Sequence, residues 1–155
     1  MIFMKKIFIA FFLLVFPPGT YAQVTSDSAA IVQLLEKESA TWRNGDVAAH
    51  ADCWHIEPYS RILVSTGDGK ALDVPPDLMI HPPSGSMGKG GTSVNSNYKM
   101  SINGNSAWVS HNEKSTAADG KETFSYEMKM LEKINGEWKL VGESIHIYKP
   151  TEKST

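Results

Sequence analysis

The chain has 155 residues, 41% of them hydrophobic, and carries 15 Lys and Arg against 17 Asp and Glu for a formal net charge of −2. That balance has no basic stripe, and with no nucleic-acid motif present it excludes a protein that binds nucleic acid through its charge. A single cysteine, Cys53, excludes an internal disulfide and reads as a small buried hydrophobe.

The first residues read as an address. Lys5 and Lys6 precede an uncharged apolar run from Ile7 to Phe16, Pro17-Pro18-Gly19 breaks it, and Thr20-Tyr21-Ala22 fits a small-residue cleavage site. The run falls short of the roughly 20 residues that cross a bilayer as a helix. The expected organisation is a signal peptide over residues 1–22 and one domain over residues 23–155, with a short N-terminal anchor as the alternative. A chain cut there would be exported, to the periplasm or beyond, with no stable membrane association afterwards.

Ser26-Asp27-Ser28 offers N-caps for a helix from near Ala29. Ile31, Leu34, Leu35, Glu38 and Trp42 recur at helical spacing, so one face of it is apolar. Asn44-Gly45 is the expected stop, and Asp46 the cap of a second helix over about Val47 to Trp54. Tyr59 to Ser65 reads as a strand, Gly67 to Lys70 as a turn, and Ala71 to Val74 as a short return strand. Residues 75–96 hold two Pro-Pro pairs and four glycines. An irregular segment that long is uncommon inside a compact domain. It reads either as a lid at the mouth of a pocket or as a surface insertion, with Asp77 to Ile80 as one helical turn. Strands over Asn97–Ile102, Ser106–Thr116, Glu122–Ile134 and Glu137–Lys149 follow, joined by Asn103-Gly104-Asn105, Asp119-Gly120 and Asn135-Gly136. Asn-Gly is a strong hairpin turn because both central residues of a type I′ turn need positive φ. Helices first and consecutive strands later mean α+β, with the helices on one face of an antiparallel sheet.

Three stretches carry a resemblance. Trp42-Arg43-Asn44-Gly45-Asp46, Ile102-Asn103-Gly104-Asn105-Ser106-Ala107-Trp108-Val109 and Gly136-Glu137-Trp138-Lys139-Leu140-Val141 occur in the order seen in NTF2-like domains of the SnoaL-like, DUF4440 type. The resemblance covers about Ala29 to Tyr148. It implies a cone, in which a strongly bent sheet wraps the N-terminal helices around a pocket, and it implies a homodimer through the outer sheet face. The Pro/Gly-rich middle departs from the family pattern, which puts a third helix there. The resemblance implies a pocket without naming a reaction, since fold does not determine function.

Catalytic motifs are missing. There is no Gly-x-Ser-x-Gly elbow, Gly85 to Gly90 lacks the spacing of a phosphate loop, and His50, Asp52 and His55 are poorly spaced for one helical face. No cofactor or metal is implied. Strand alternation groups Phe124, Tyr126, Met128 and Met130; Ala107, Val109 and His111; and Trp138, Leu140, Ser144, His146 and Tyr148. If these faces are concave, His111, Tyr126 and His146 bring polar groups into an apolar pocket with Trp54, Tyr59 and Met128, the usual make-up of a small-molecule site. Glu143, Ile145 and Ile147 have the opposite parity, and a bulge would swap the faces. Three functions follow: binding of a small, mainly apolar ligand; an isomerase, cyclase or hydrolase using His or Tyr as acid and base; or a protein-interaction module.

Overall fold

The computed structural model describes residues 19–150, so the expected leader lies mostly outside the described residues. Among these, no helix is long and apolar enough to cross a membrane. Helix α1 spans Gly19–Asn44, an earlier start than the caps at Ser26 to Ser28 suggest. Asp27 does not cap it. Its carboxylate accepts from Lys133 Nζ at 2.5 Å and from the Trp138 indole N–H at 3.3 Å, which ties the helix to the last hairpin. Ile31 and Leu35, one turn apart, are fully buried; burying such a side chain stabilises by roughly 1.5–3 kcal/mol. Gly45 ends the helix at φ 71°, and Asp46 caps α2 (Val47–Ala51) by accepting from the Ala49 amide at 3.1 Å. Helix α2 stops short of Trp54 because the chain there turns to run beside the last strand. The His55 amide donates to Leu140 O at 2.8 Å, and the Leu140 amide donates to Cys53 O at 2.9 Å.

Six strands form one curved sheet: β1 Ile62–Ser65, β2 Ala71–Val74, β3 Gly91–Asn103, β4 Ser106–Ala117, β5 Glu122–Ile134 and β6 Glu137–Tyr148. Their order is β2-β1-β6-β5-β4-β3. All pairs are antiparallel except β1 beside β6. Asn135 and Gly136 both have positive φ, as the type I′ turn requires. Two irregularities bend the sheet. One lies in β3 around Asn97. The other opposes Met130 to Gly142 and Leu131 to Leu140, leaving Val141 as the extra residue of β6.

The middle segment is more ordered than its composition suggests. Pro76–Met79 is a 3₁₀ turn, and β3 begins already at Gly91. Between them residues 80–90 strap across the end of α1. The Gly88 amide donates to Trp42 O at 3.0 Å and the Gly90 amide to Arg43 O at 2.7 Å, so the strap satisfies helix carbonyls that have no intrahelical partner. A Cβ on Gly88 would stand 2.3 Å from the Arg43 oxygen, which demands glycine there. The apolar core joins Ile31, Leu35, Trp54, Val109, Leu131 and Leu140. Beyond it, toward Trp42, the cone is not filled by apolar side chains.

Candidate ligand cavity

Alternation along β5 puts Ser125, Glu127, Lys129 and Leu131 on the concave side and Tyr126, Met128 and Met130 outside. Glu127 and Lys129 are 8% and 2% exposed, whereas Tyr126 and Met128 are 52% and 48% exposed. This reverses the facing expected from the sequence. On β4, Val109, His111 and Glu113 face inward with them, in register with Lys129, Glu127 and Ser125. On β6 the extra residue at Val141 does the swapping. Trp138 and Leu140 face the core before it, and Glu143, Ile145 and Ile147 line the cone after it. Helix α1 contributes Glu38, Ser39, Trp42 and Arg43 from above.

These residues enclose a cavity of about 410 Å³. Ile62, Val64, Val74, Met79, Ile145 and Ile147 make its apolar wall. Its floor is charged. Lys129 Nζ donates to Glu143, stands 3.1 Å from Glu127 Oε2 and lies 3.3 Å from Glu38 Oε2. The Ser125 hydroxyl donates to Glu127 Oε1 at 2.7 Å. Nearer the mouth, Arg43 donates to Ser39 Oγ and Ser39 donates to Glu113, with Arg43 Nη1 3.7 Å from Glu113 Oε1. The strap continues this wall, since Met87 to Gly90 border a second depression that shares Trp42, Arg43 and Ser115 with the cavity.

Burial sets the protonation of this floor. It opposes the charge on Lys129, but Glu127, Glu143 and Glu38 outweigh it and hold that amine well above its ordinary pKa. Burial raises Glu38, and it pushes Glu143 up to about 7, with Lys129 opposing in both cases. Glu113 is also raised, by burial and then by Glu127. For Glu127 burial is overcome by Lys129, His111 and the Ser125 hydroxyl, so its carboxyl stays below the usual range. His111 is buried on the concave face with Nε2 3.7 Å from Glu127 Oε2, and its ring stacks on Tyr98 at 5.3 Å. Burial lowers its pKa, with Glu127 opposing. His50 is likewise held neutral by burial, between the rings of Trp42 and Trp54. Among the described residues no group of three or more His, Cys, Asp or Glu is placed to hold a metal. Lys129 fills the centre of the three carboxyls.

The sequence matches no family model and no curated protein. Solved structures do match. An NTF2-like protein of unknown function from Shewanella baltica superposes with a TM-score of 0.61 at 18% identity, covering 84% of this chain and 98% of that one. The chain has the NTF2-like fold. A protein of unknown function with a cystatin-like fold from Nostoc punctiforme matches with a TM-score of 0.61 at 16% identity, over 84% of this chain and 96% of its own. An NTF2-like protein from Cytophaga hutchinsonii matches at 0.59 and 18% identity, over 77% and 96%. Identities this low carry the architecture alone.

Within this NTF2-like cone the six residues singled out from sequence separate. His111 faces the interior. Trp54 is buried in the apolar core beside Leu140. Tyr126, Met128 and His146 lie on the outer face, where Tyr126 stacks on Tyr148 and His146 contacts Ser144. Tyr59 is exposed on that side too, donating to Glu132 Oε1 at 2.8 Å. Sequence reasoning passed over Glu38, Arg43, Glu113, Glu127 and Lys129. One signal for them was available: Glu38 sits on the same helical face as Ile31 and Leu35, where a charge is out of place unless it is paired.

Proposed function

We propose that this protein binds a small molecule in its cone, apolar over most of its surface and polar at one end, and that it does so outside the cytoplasm. The observation carrying this reading is the division of the cavity. Apolar side chains form the wall, and Lys129 with its three carboxyls forms the floor. Buried ion pairs are weak devices for stability, because desolvation offsets their attraction. A cluster of them beside an open cavity is more economically explained as the polar end of a binding site. The test is native mass spectrometry of the protein purified from its own host, beside a variant whose cone is filled by Val64→Trp. A small-molecule adduct on the first and not on the second is expected. No adduct on either, or one that persists in the filled variant, contradicts the reading.

The floor also supports a second reading, proton-transfer catalysis of an isomerase, cyclase or hydrolase type. Glu143 with its pKa near 7 is suited to both accepting and donating a proton at neutral pH, so the acid–base role would fall to a carboxyl in place of His or Tyr. Turnover lost in Glu143→Gln with ligand binding retained is the outcome that would favour it. The homodimer belongs to the proposal as well. Trp108, Tyr126, Met128 and Met130 stand exposed on the outer face, an apolar surface that a second copy would cover.

A further inference from the structure

We infer that the ligand carries a second oxygen, a hydroxyl on the same edge as its polar end, seated at Ser115 and Thr123 near the mouth of the cone. The inference rests on the cone being a binding site, and it describes the ligand as a hydrocarbon skeleton hydroxylated along one edge. The strands divide the cavity lining between them. Strand β1 supplies Ile62 and Val64, β2 supplies Val74, and β6 beyond Glu143 supplies Ile145 and Ile147. The lining residues of β4 and β5 are all polar, from Lys129 and Glu127 at the floor to Ser115 and Thr123. The boundary falls between two paired strands, with Ile145 beside Glu127 and Ile147 beside Ser125. Helix α1 keeps to this division, since Glu38 reaches Lys129 while Ser39 and Arg43 reach Glu113. The cone is therefore split lengthwise, so a molecule lying in it meets hydrocarbon along one edge and polar groups along the other.

Spare hydrogen-bonding capacity locates the second group. Arg43 already faces Glu113, and Lys129 already faces Glu38, Glu127 and Glu143. The Ser39 hydroxyl accepts from Arg43 and donates to Glu113, and the Ser125 hydroxyl donates to Glu127. Ser115 and Thr123 differ. They are partners across β4 and β5, both half-buried, and both line the cavity. Facing hydroxyls on paired strands can bond to each other, yet these two make no hydrogen bond to any described residue. Each offers one donor and two acceptor sites, and a ligand hydroxyl, itself donor and acceptor, matches both. A carboxylate placed there would meet Glu113 on the same face of β4, with Arg43 already engaged by Ser39 and Glu113.

The spacing sets the reach. Glu127 and Thr123 are four residues apart on β5, about 13 Å at the usual rise per residue, a span that an eight-carbon chain with an oxygen at each end approaches.

The experiment is isothermal titration calorimetry with 1,8-octanediol, 1-octanol and 8-hydroxyoctanoate. It compares the unaltered protein, Ser115→Ala combined with Thr123→Val, and Ser110→Ala, a control beside Met128 on the outer face. Losing a neutral hydrogen bond lowers affinity by a few-fold, so the double variant should weaken the diol by about fivefold or more. Its affinity for 1-octanol should stay within about twofold, which also shows that it folds. Ser110→Ala should change neither, and the hydroxy acid should bind more weakly than the diol. A diol affected no more than 1-octanol overturns the second hydroxyl and leaves the cavity reading standing. A hydroxy acid that binds more tightly than the diol does the same, because the mouth would then hold an anion. If none of the three binds, native mass spectrometry decides. An adduct with two or more oxygens that is lost from the double variant sustains the inference, any other adduct overturns the second hydroxyl alone, and no adduct overturns both it and the cone as a binding site.

Discussion

The two faces of strand β5 invert the usual distribution of side chains. The buried face carries Ser125, Glu127 and Lys129; the exposed face carries Tyr126, Met128 and Met130. In a half-buried strand the apolar set ordinarily turns toward the core. Here the helix does not close on this part of the sheet, so the concave face borders a cavity and can hold charge. The convex face holds the apolar surface that would ordinarily be spent on the core. The comparison indicates that neither face is built mainly to stabilise the monomer. On the proposed reading, the first meets a ligand's polar end and the second meets another copy of the chain.

Replacing neighbouring residues on the two faces should break this symmetry most visibly. Lys129→Met removes the one cation among three buried carboxyls and should cost about 3–5 kcal/mol at pH 8, read from urea unfolding, with the cost shrinking at pH 5 as the carboxyls take up protons. Met128→Lys, one residue away, should change stability by no more than about 0.5 kcal/mol. Equal costs for the two would show that the facing is wrong.

The pH dependence of stability sharpens the account of the inner face. Glu143 has its folded pKa raised to about 7, so the native state holds a proton that the unfolded state has released. Its contribution is fully present below the unfolded carboxyl value and is lost as pH rises through about 7. Glu38 and Glu113, also raised, act in the same sense. Glu127 is lowered and acts oppositely, its contribution disappearing only under more acidic conditions. Stability should therefore fall between about pH 5 and 7, by up to about 1.4 kcal/mol per pH unit for each proton released. Glu143→Gln should flatten that slope. A stability that rises across the window would contradict the assignment.

Smaller effects test the mouth and the outer face. Gly88→Ala forces a Cβ against the Arg43 carbonyl and should cost about 1–3 kcal/mol while weakening ligand retention, since the strap hydrogen-bonds to Trp42 and Arg43, which line the cavity. Tyr126→Glu combined with Met128→Glu should leave monomer stability within about 0.5 kcal/mol and reduce the mass found by light scattering from dimer to monomer. A protein that is monomeric before the change counts against the outer-face dimer.

The turns were legible in the sequence because their chemistry is local. Asn135-Gly136, Gly45 and the Asp46 cap each state a backbone requirement within a few residues. The facing of β5 was not. Alternation says that two faces differ, and only the position of α1 decides which is concave. Apolarity pointed to Tyr126 and Met128, and the cavity overrides it. The extra residue at Val141 is equally silent, since it exists only in the pairing of β5 with β6. The parallel neighbour β1 is a non-local contact that hairpin spacing does not announce. Of the floor, Glu38 was readable as a charge on an apolar helical face, whereas its convergence with Lys129 and Glu143 required the fold.

The most direct test of the account is a methyl-labelled NMR titration with 2-phenylethanol, a probe apolar over most of its surface and polar at one end. Ile62, Ile145 and Ile147 report the cone, and Met128 and Met130 report the outer face. Saturable shifts confined to the isoleucine methyls are expected. Shifts confined to the two methionines, or none in either set, would contradict the claim that the charged concave face is the one that binds.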